Sequence, residues 1–216
     1  MKEIDVTTWP RKSIYDFFRQ LAHPQYSLTV NLDAHAVMTV AKPAGVRPFQ
    51  AVLYAIMEAA NAVPEMRQRM RDNGQRVVEH DRIHPGITAP ISGDRFAFCC
   101  FDHDPDWNVF QPRCAHAMEE AQQQTELYNC GMGRDDYLYL SCAPWTVFTS
   151  LHQVYGDAGD CAPRVVWGKI HQDNGKWLVP VAVQAHHALV DGLHVARFHE
   201  YLQEQLDAWS SPPRTV

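Results

Sequence analysis

Apolar residues recur along this chain with two periods, and the switches between them predict its elements. Ile14, Phe17, Phe18 and Leu21 follow Thr8 and Ser13 at helical spacing, so a short Ser- or Thr-capped helix is expected, ended by His23-Pro24. Tyr26, Leu28, Val30 and Leu32 alternate with polar residues, as in a half-buried strand. Pro48 opens the clearest helix, with Phe49, Val52, Leu53, Ile56, Met57 and Ala60 on one face. Val63-Pro64 interrupts it, and residues 65–71 read as a short charged helical turn.

Asp72-Asn73-Gly74 reads as a hairpin tip, and residues 76–89 and 95–101 as strands around Ser92-Gly93-Asp94. Residues 102–112, rich in Asp, Pro and Trp, read as a loop, and 114–127 as a helix with a charged, Gln-rich outer face. Residues 137–142 and 146–151 are β-rich around Ala143-Pro144-Trp145, and a Gly/Asp loop spans 155–162. Residues 165–171 and 177–185, joined at Asp173-Asn174-Gly175, read as a hairpin. From Gly192 onward Val195, Phe198, Leu202, Leu206 and Trp209 mark a final helix, with a loose tail after Ser210. No repeat or linker interrupts this order, which predicts one mixed α/β domain over 1–216.

Composition narrows the function. Net charge is -6 with twelve His left out, and no basic run stands out, against a nucleic-acid partner. No apolar stretch nears membrane-spanning length, and the start Met1-Lys2-Glu3-Ile4-Asp5 has no signal core, so a cytoplasmic protein without a membrane partner is expected. The six Cys form no Cys-x-x-Cys pair and are expected to be reduced, mostly core-filling thiols.

Chemistry concentrates in Gln184-Ala185-His186-His187-Ala188-Leu189-Val190-Asp191-Gly192. Two imidazoles leave an apolar strand just before a helix start. A histidine there accepts a proton at neutral pH if its tautomer is fixed. Adjacent residues project differently, so at most one serves as base, and a purely structural pair is the blander alternative. Asp191 can orient His187 or hold the turn by pairing with a cation. No third ligand at zinc spacing joins the pair, nor His80 and His84, so no metal is expected.

The stretch from His187 to Phe198 resembles the His-x-x-x-Asp-Gly signature of the chloramphenicol acetyltransferase family, and the similarity runs along nearly the whole chain. Trp9-Pro10-Arg11-Lys12, 61–67, Ser141-Cys142-Ala143-Pro144-Trp145, 162–169 and 178–184 are similar to further family segments, in order. The resemblance implies a two-layer α/β sandwich, a mixed sheet with helices packed on one face. It implies acetyl-CoA as donor substrate and chloramphenicol as acceptor. His187 corresponds to the general base, Ser141 to the oxyanion donor, Asp191 and Arg11 to a bracing ion pair, and Trp145 to the coenzyme channel. It further implies a homotrimer whose active sites lie between subunits. Each residue also has a plain structural reading: Ser141 as a strand hydroxyl, Trp145 as core, Arg11 as surface charge.

The departures lie in the acceptor pocket, assigned by the same resemblance to Phe17, Phe18, Tyr26, Phe96, Leu151, Gln153, Arg164 and Val166. Arg164 stands where the family has an apolar residue, Val166 where it has Thr, and Ile170 where it has an aromatic. A more polar hydroxylated acceptor is therefore the alternative to chloramphenicol, and a ligand-binding homologue without catalysis the lesser one.

Overall fold

The computed structural model describes residues 1–127, 130–131 and 133–211; the tail expected after Ser210 lies outside them beyond Ser211. In chain order the strands are β1 (Lys2–Ile4), β2 (Gln25–Asp33), β3 (Gln68–Arg71), β4 (Arg76–Glu79), β5 (His84–Ile91), β6 (Arg95–Cys100), β7 (Tyr137–Ala143), β8 (Arg164–Gly168), β9 (His171–Asp173) and β10 (Lys176–His186). The α-helices are α1 (Lys12–Phe18), α2 (Pro48–Ala62), α3 (Trp107–Gln122) and α4 (Gly192–Asp207).

Seven strands form one mixed sheet in the order β2-β10-β8-β7-β5-β6, with β9 also on β10. β5, β7 and β8 run parallel, and the remaining pairs are antiparallel. Alternation along the strands sorts the two faces. Ile87, Leu140, Val165, Val181 and Val183 join Leu53, Ile56, Met57, Phe198 and Leu202 of α2 and α4 in one core. Their strand neighbours Thr88, Ser141, Val166 and Ala182 lie side by side on the other face. This is the expected α/β architecture, a mixed sheet with helices on one face.

A second, three-stranded sheet, β1-β4-β3, was not expected. Residues 76–89, read as one strand, divide between the two sheets. The break falls at the polar step Asp81-Arg82. There His80 N–H donates to the Arg67 carbonyl at 3.1 Å, and Ile83 N–H to Asn61 Oδ1 at 2.8 Å. The division puts His80 and His84 in different surroundings. Residues 65–71 are a single 3-10 turn (Pro64–Arg67) followed by β3, and the Asp72-Asn73-Gly74 tip joins β3 to β4 with all three residues at positive φ.

Three other expectations are corrected. α3 starts at Trp107, inside the expected loop, and contains Pro112. The Asp106 side chain caps it by accepting from Asn108 N–H at 2.9 Å, and the helix tolerates the one backbone bond that Pro112 cannot make. Residues 146–151 form no strand. Instead Thr146 O accepts from Lys169 N–H at 2.9 Å, and the segment presses on Gly168. α1 begins at Lys12 after Arg11, with no Ser or Thr side-chain cap.

Cys100 and Cys130 are disulfide-bonded, which corrects the all-reduced expectation. The loop after α3 returns to the end of β6 and brings the two Cα atoms to 5.8 Å, within bonding range, although 30 residues separate them. Cys99, Cys114, Cys142 and Cys161 are free.

Candidate active site

β10 delivers the two histidines in different directions. Val179, Val181, Val183 and Ala185 point into the core, so the alternate side, with Gln184 and His186, faces away from it. His186 is fully buried; its Nε2 lies 2.9 Å from the Ala158 carbonyl, and its Nδ1 accepts from Ala188 N–H at 3.2 Å. Burial lowers its pKa, outweighing the pull of the Ala158 carbonyl, so it stays neutral. Both ring nitrogens are occupied, so His186 is a structural histidine.

His187 turns out of the sheet. Its N–H donates to the Pro24 carbonyl at 2.9 Å, anchoring the turn to the residue before β2. Its ring stacks on Phe18 at 4.0 Å and 10°, and Tyr26 leans on it at 4.6 Å. Phe17 is largely exposed beside Phe18, its ring edge-on at 5.1 Å. Nδ1 is buried without a protein partner, which leaves Nε2 as the nitrogen able to meet a ligand.

Asp191 caps α4, accepting from Leu193 N–H at 3.1 Å, while the His194 ring accepts from Asp191 N–H at 3.1 Å to complete a capping box. Its other oxygen takes Arg11 Nη1 at 2.5 Å. Burial would raise the Asp191 pKa, but the Arg11 hydrogen bond and charge, with His194 and the Leu193 N–H, more than offset it, and the carboxyl is held below its usual range. Burial raises the Tyr26 phenol pKa, and the Asp191 carboxylate adds to the shift. Arg11 and Asp191, 180 residues apart, thus tie α1 to α4 on either side of the His187 turn.

Ser141 stands in a second place. Two adjoining clefts, of about 490 and 650 Å³, open on the sheet face away from the core, and both are lined by Thr88, Phe96 and Ser141. The first continues past Phe98, Tyr139 and Gln153 to Arg164; the second runs past Arg95 and Cys142 to Trp145, which is 75% exposed. Burial pushes the Cys142 thiol up to about 12, so beside Ser141 it is protonated and a poor nucleophile.

Arg164 lines the first cleft but is not a free cation. It pairs with Asp160 at 2.5 Å, donates to the Ala162 carbonyl at 2.9 Å, and lies over the Tyr139 ring at 5.4 Å. Gln153 is pinned through its backbone to the Gln184 side chain at 2.7 and 3.0 Å. Val166 is buried next to Ser141 in the ladder, and neither it nor Leu151 lines either cleft. The Arg164–Asp160 pair was not foreseen, although its spacing of four residues and opposite charges are visible in the sequence. Thr88 gave no sequence signal, since it reads as an ordinary strand residue.

His187 is grouped with Phe18, Tyr26, Arg11 and Asp191 and lines neither cleft, whereas Ser141 lines both, with Phe96, Gln153, Arg164 and Trp145 along one or both of them. Among the described residues no group of three His, Cys, Asp or Glu is arranged to hold a metal ion, and no helix is long and apolar enough to cross a membrane.

In sequence and in its mixed α/β sheet the chain is similar to acetyltransferases. Residues 1–203 match the chloramphenicol acetyltransferase family model, and the chain belongs to that family. It is 31% identical to chloramphenicol acetyltransferase 2 of Escherichia coli over 206 residues, 94% of this chain and 96% of the relative. The identity to the enzyme of the same description from Haemophilus influenzae is also 31%, over the same shares of both chains. A solved chloramphenicol acetyltransferase structure superposes with a TM-score of 0.87 at 28% identity, covering 95% of this chain and all of its own.

Proposed function

We propose that this protein, acting as a single domain over residues 1–216, moves the acetyl group of acetyl-CoA onto a hydroxyl of chloramphenicol. The observation that carries the reading is the clamped imidazole of His187, stacked on Phe18 with Nδ1 buried and Nε2 available. Nε2 takes the proton of the acceptor hydroxyl as its oxygen attacks the thioester carbonyl. The tetrahedral oxyanion accepts a hydrogen bond from the Ser141 hydroxyl. Collapse expels the coenzyme A thiolate, which takes the proton from His187. A base in this role contributes about 10²–10⁴-fold. One oxyanion donor is worth about 10²–10³ in turnover. Arg11 and Asp191 take no proton; they hold the turn that carries His187.

The active unit is a homotrimer in this reading. Ser141 lines both clefts and His187 lines neither, so a neighbouring subunit supplies the base to each Ser141 cleft. Trp145, exposed at the mouth of the second cleft, flanks the coenzyme, and Phe96, Gln153 and Arg164 line the acceptor side. A cytoplasmic role in antibiotic inactivation completes the reading.

Coenzyme A thiol release from acetyl-CoA with chloramphenicol tests it, compared between the protein and His187→Ala. Equal rates in the two sink the assignment of the base. A second reading, the same transfer to a more polar hydroxylated acceptor, is favoured by the Arg164–Asp160 pair in the cleft wall. An acceptor panel separates the two: preference for chloramphenicol over every other acceptor refutes the second.

A further inference from the structure

The two clefts share Thr88, Phe96 and Ser141. If one cleft takes the acetyl donor and the other the acceptor, bonds form and break where they meet. Thr88 is at that junction, and its Oγ1 lies 3.0 Å from Ser141 Oγ and 3.3 Å from the Leu140 carbonyl. Parallel pairing of β5 with β7 sets Thr88 directly opposite Ser141, so the contact is built into the sheet.

A serine hydroxyl is a rotor with one proton and two lone pairs. To stabilise an oxyanion its proton must point at the place where charge develops, before that charge appears. Left alone, the Ser141 hydroxyl spends part of its time turned toward the strand. An O–H···O bond donated into one of its lone pairs removes that freedom and directs its own proton outward.

We propose that Thr88 is a positioning residue for Ser141: its hydroxyl donates to Ser141 Oγ and turns the Ser141 proton into the junction of the two clefts. This rests on the reading of Ser141 as oxyanion donor. As the acceptor oxygen adds to the thioester carbon, the carbonyl electron pair moves onto oxygen. Ser141 donates to it, and the Thr88–Ser141 bond strengthens as the serine oxygen gains charge. Two hydroxyls in series polarise one another more than either does alone. In this role Thr88 acts through Ser141 and carries no proton of the reaction.

The test is a double-mutant cycle on Thr88→Val and Ser141→Ala, with Thr88→Ser as rescue. Valine keeps the shape and the β-branched fit to the strand and loses only the hydroxyl. Thr88→Val alone is expected to lower kcat roughly three- to tenfold, the worth of one neutral hydrogen bond, with little change in KM. Thr88→Ser keeps kcat within about twofold. In the Ser141→Ala background Thr88→Val costs nothing further. An equal loss in both backgrounds makes Thr88 merely structural and overturns the proposal, as does an unchanged kcat for Thr88→Val. Normal turnover in Ser141→Ala alone strikes the underlying reading of Ser141, and the proposal falls with it, whereas loss there with an unaffected Thr88→Val strikes the proposal alone.

Discussion

Replacing Asp191 by Asn keeps the shape of the α4 cap and removes its charge. Asn caps helices as well as Asp does, so Asp191→Asn isolates the ion pair with Arg11. The two side chains are 16% and 26% exposed. Breaking a fully buried pair costs about 3–5 kcal/mol, and an exposed one about 0–1 kcal/mol. The intermediate burial places this pair at about 2–3 kcal/mol. Asp191→Ala also forfeits the bond from Leu193 N–H, adding about 1 kcal/mol. For a domain of this length the Asn variant loses roughly 4–12 °C in Tm, and the Ala variant a few degrees more.

The same comparison has a pH signature. The folded-state pKa of Asp191 is lowered, so its stabilisation is present above the ordinary unfolded value of about 3.9 and is lost as pH falls through the folded value. Thermal and urea unfolding at one fixed protein concentration should therefore show a constant gap between wild type and Asp191→Asn from about pH 5 upward, narrowing below about pH 4. Equal Tm at pH 7, or a gap that persists unchanged in acid, would falsify the reasoning.

Three further outcomes are expected. Burial alone drives the His199 pKa down to about 4, so the unfolded chain holds the extra proton between that value and about 6.5; stability is full above this window and falls with acidification through it. His199→Leu should flatten that fall by roughly 3 kcal/mol in urea unfolding between neutral pH and the acid limb, and an unaltered slope contradicts the assignment. At Gly168 an added Cβ would meet the Thr146 carbonyl at 2.8 Å, Pro180 Cγ at 2.8 Å and Phe148 Cε1 at 2.9 Å; Gly168→Ala should cost about 1–3 kcal/mol, and an unmoved urea midpoint speaks against that packing. The intact protein should be two hydrogens lighter by mass than its reduced form, and reducing a bond across 30 residues should cost roughly 3–4 kcal/mol; a full complement of six alkylatable thiols in the native sample rules the bond out.

How much was legible in the sequence depended on the range of the interaction. α2 and α4 could be read almost to the residue, because their apolar faces repeat locally and Pro48 and Asp191 mark their starts. That His186 and His187 project differently was also legible in their adjacency, although His187 lies in the turn after β10 and not on the strand. What escaped depends on contacts between distant segments. The move of residues 76–79 into a second sheet is fixed by pairing with Lys2–Ile4 and Gln68–Arg71, and nothing in the local alternation of Val77 and Val78 announces it. Cys130 meets Cys100 only because the chain folds back after α3. Residues 102–112 read as a loop because they are rich in Asp, Pro and Trp, and packing of Trp107, Phe110 and Cys114 into the core starts α3 inside that stretch instead. In the pocket, Arg164 read as a new positive charge, whereas Asp160 neutralises it in place; sequence position does not tell whether an Arg in a cleft is free or already paired.

The strand that carries the histidines is also the one that joins the sheet. Among the described residues β2 pairs with no strand but β10, and β8 meets β7 on one side and β10 on the other. β10, the last strand among the described residues, thus lies inside the sheet, between β2 and β8. A chain ending before Lys176 leaves β2 without a partner and β8 as a bare edge, open to pairing with other molecules. Tyr26 and Ala185 are paired across about three quarters of the sequence, so their closure comes late and slowly in folding. The His187 turn, bonded to Pro24 and stacked on Phe18, forms in that same closing step. Activity should therefore appear only with complete folding, and recovery of turnover on refolding should report the docking of β10 rather than the earlier collapse of the helices.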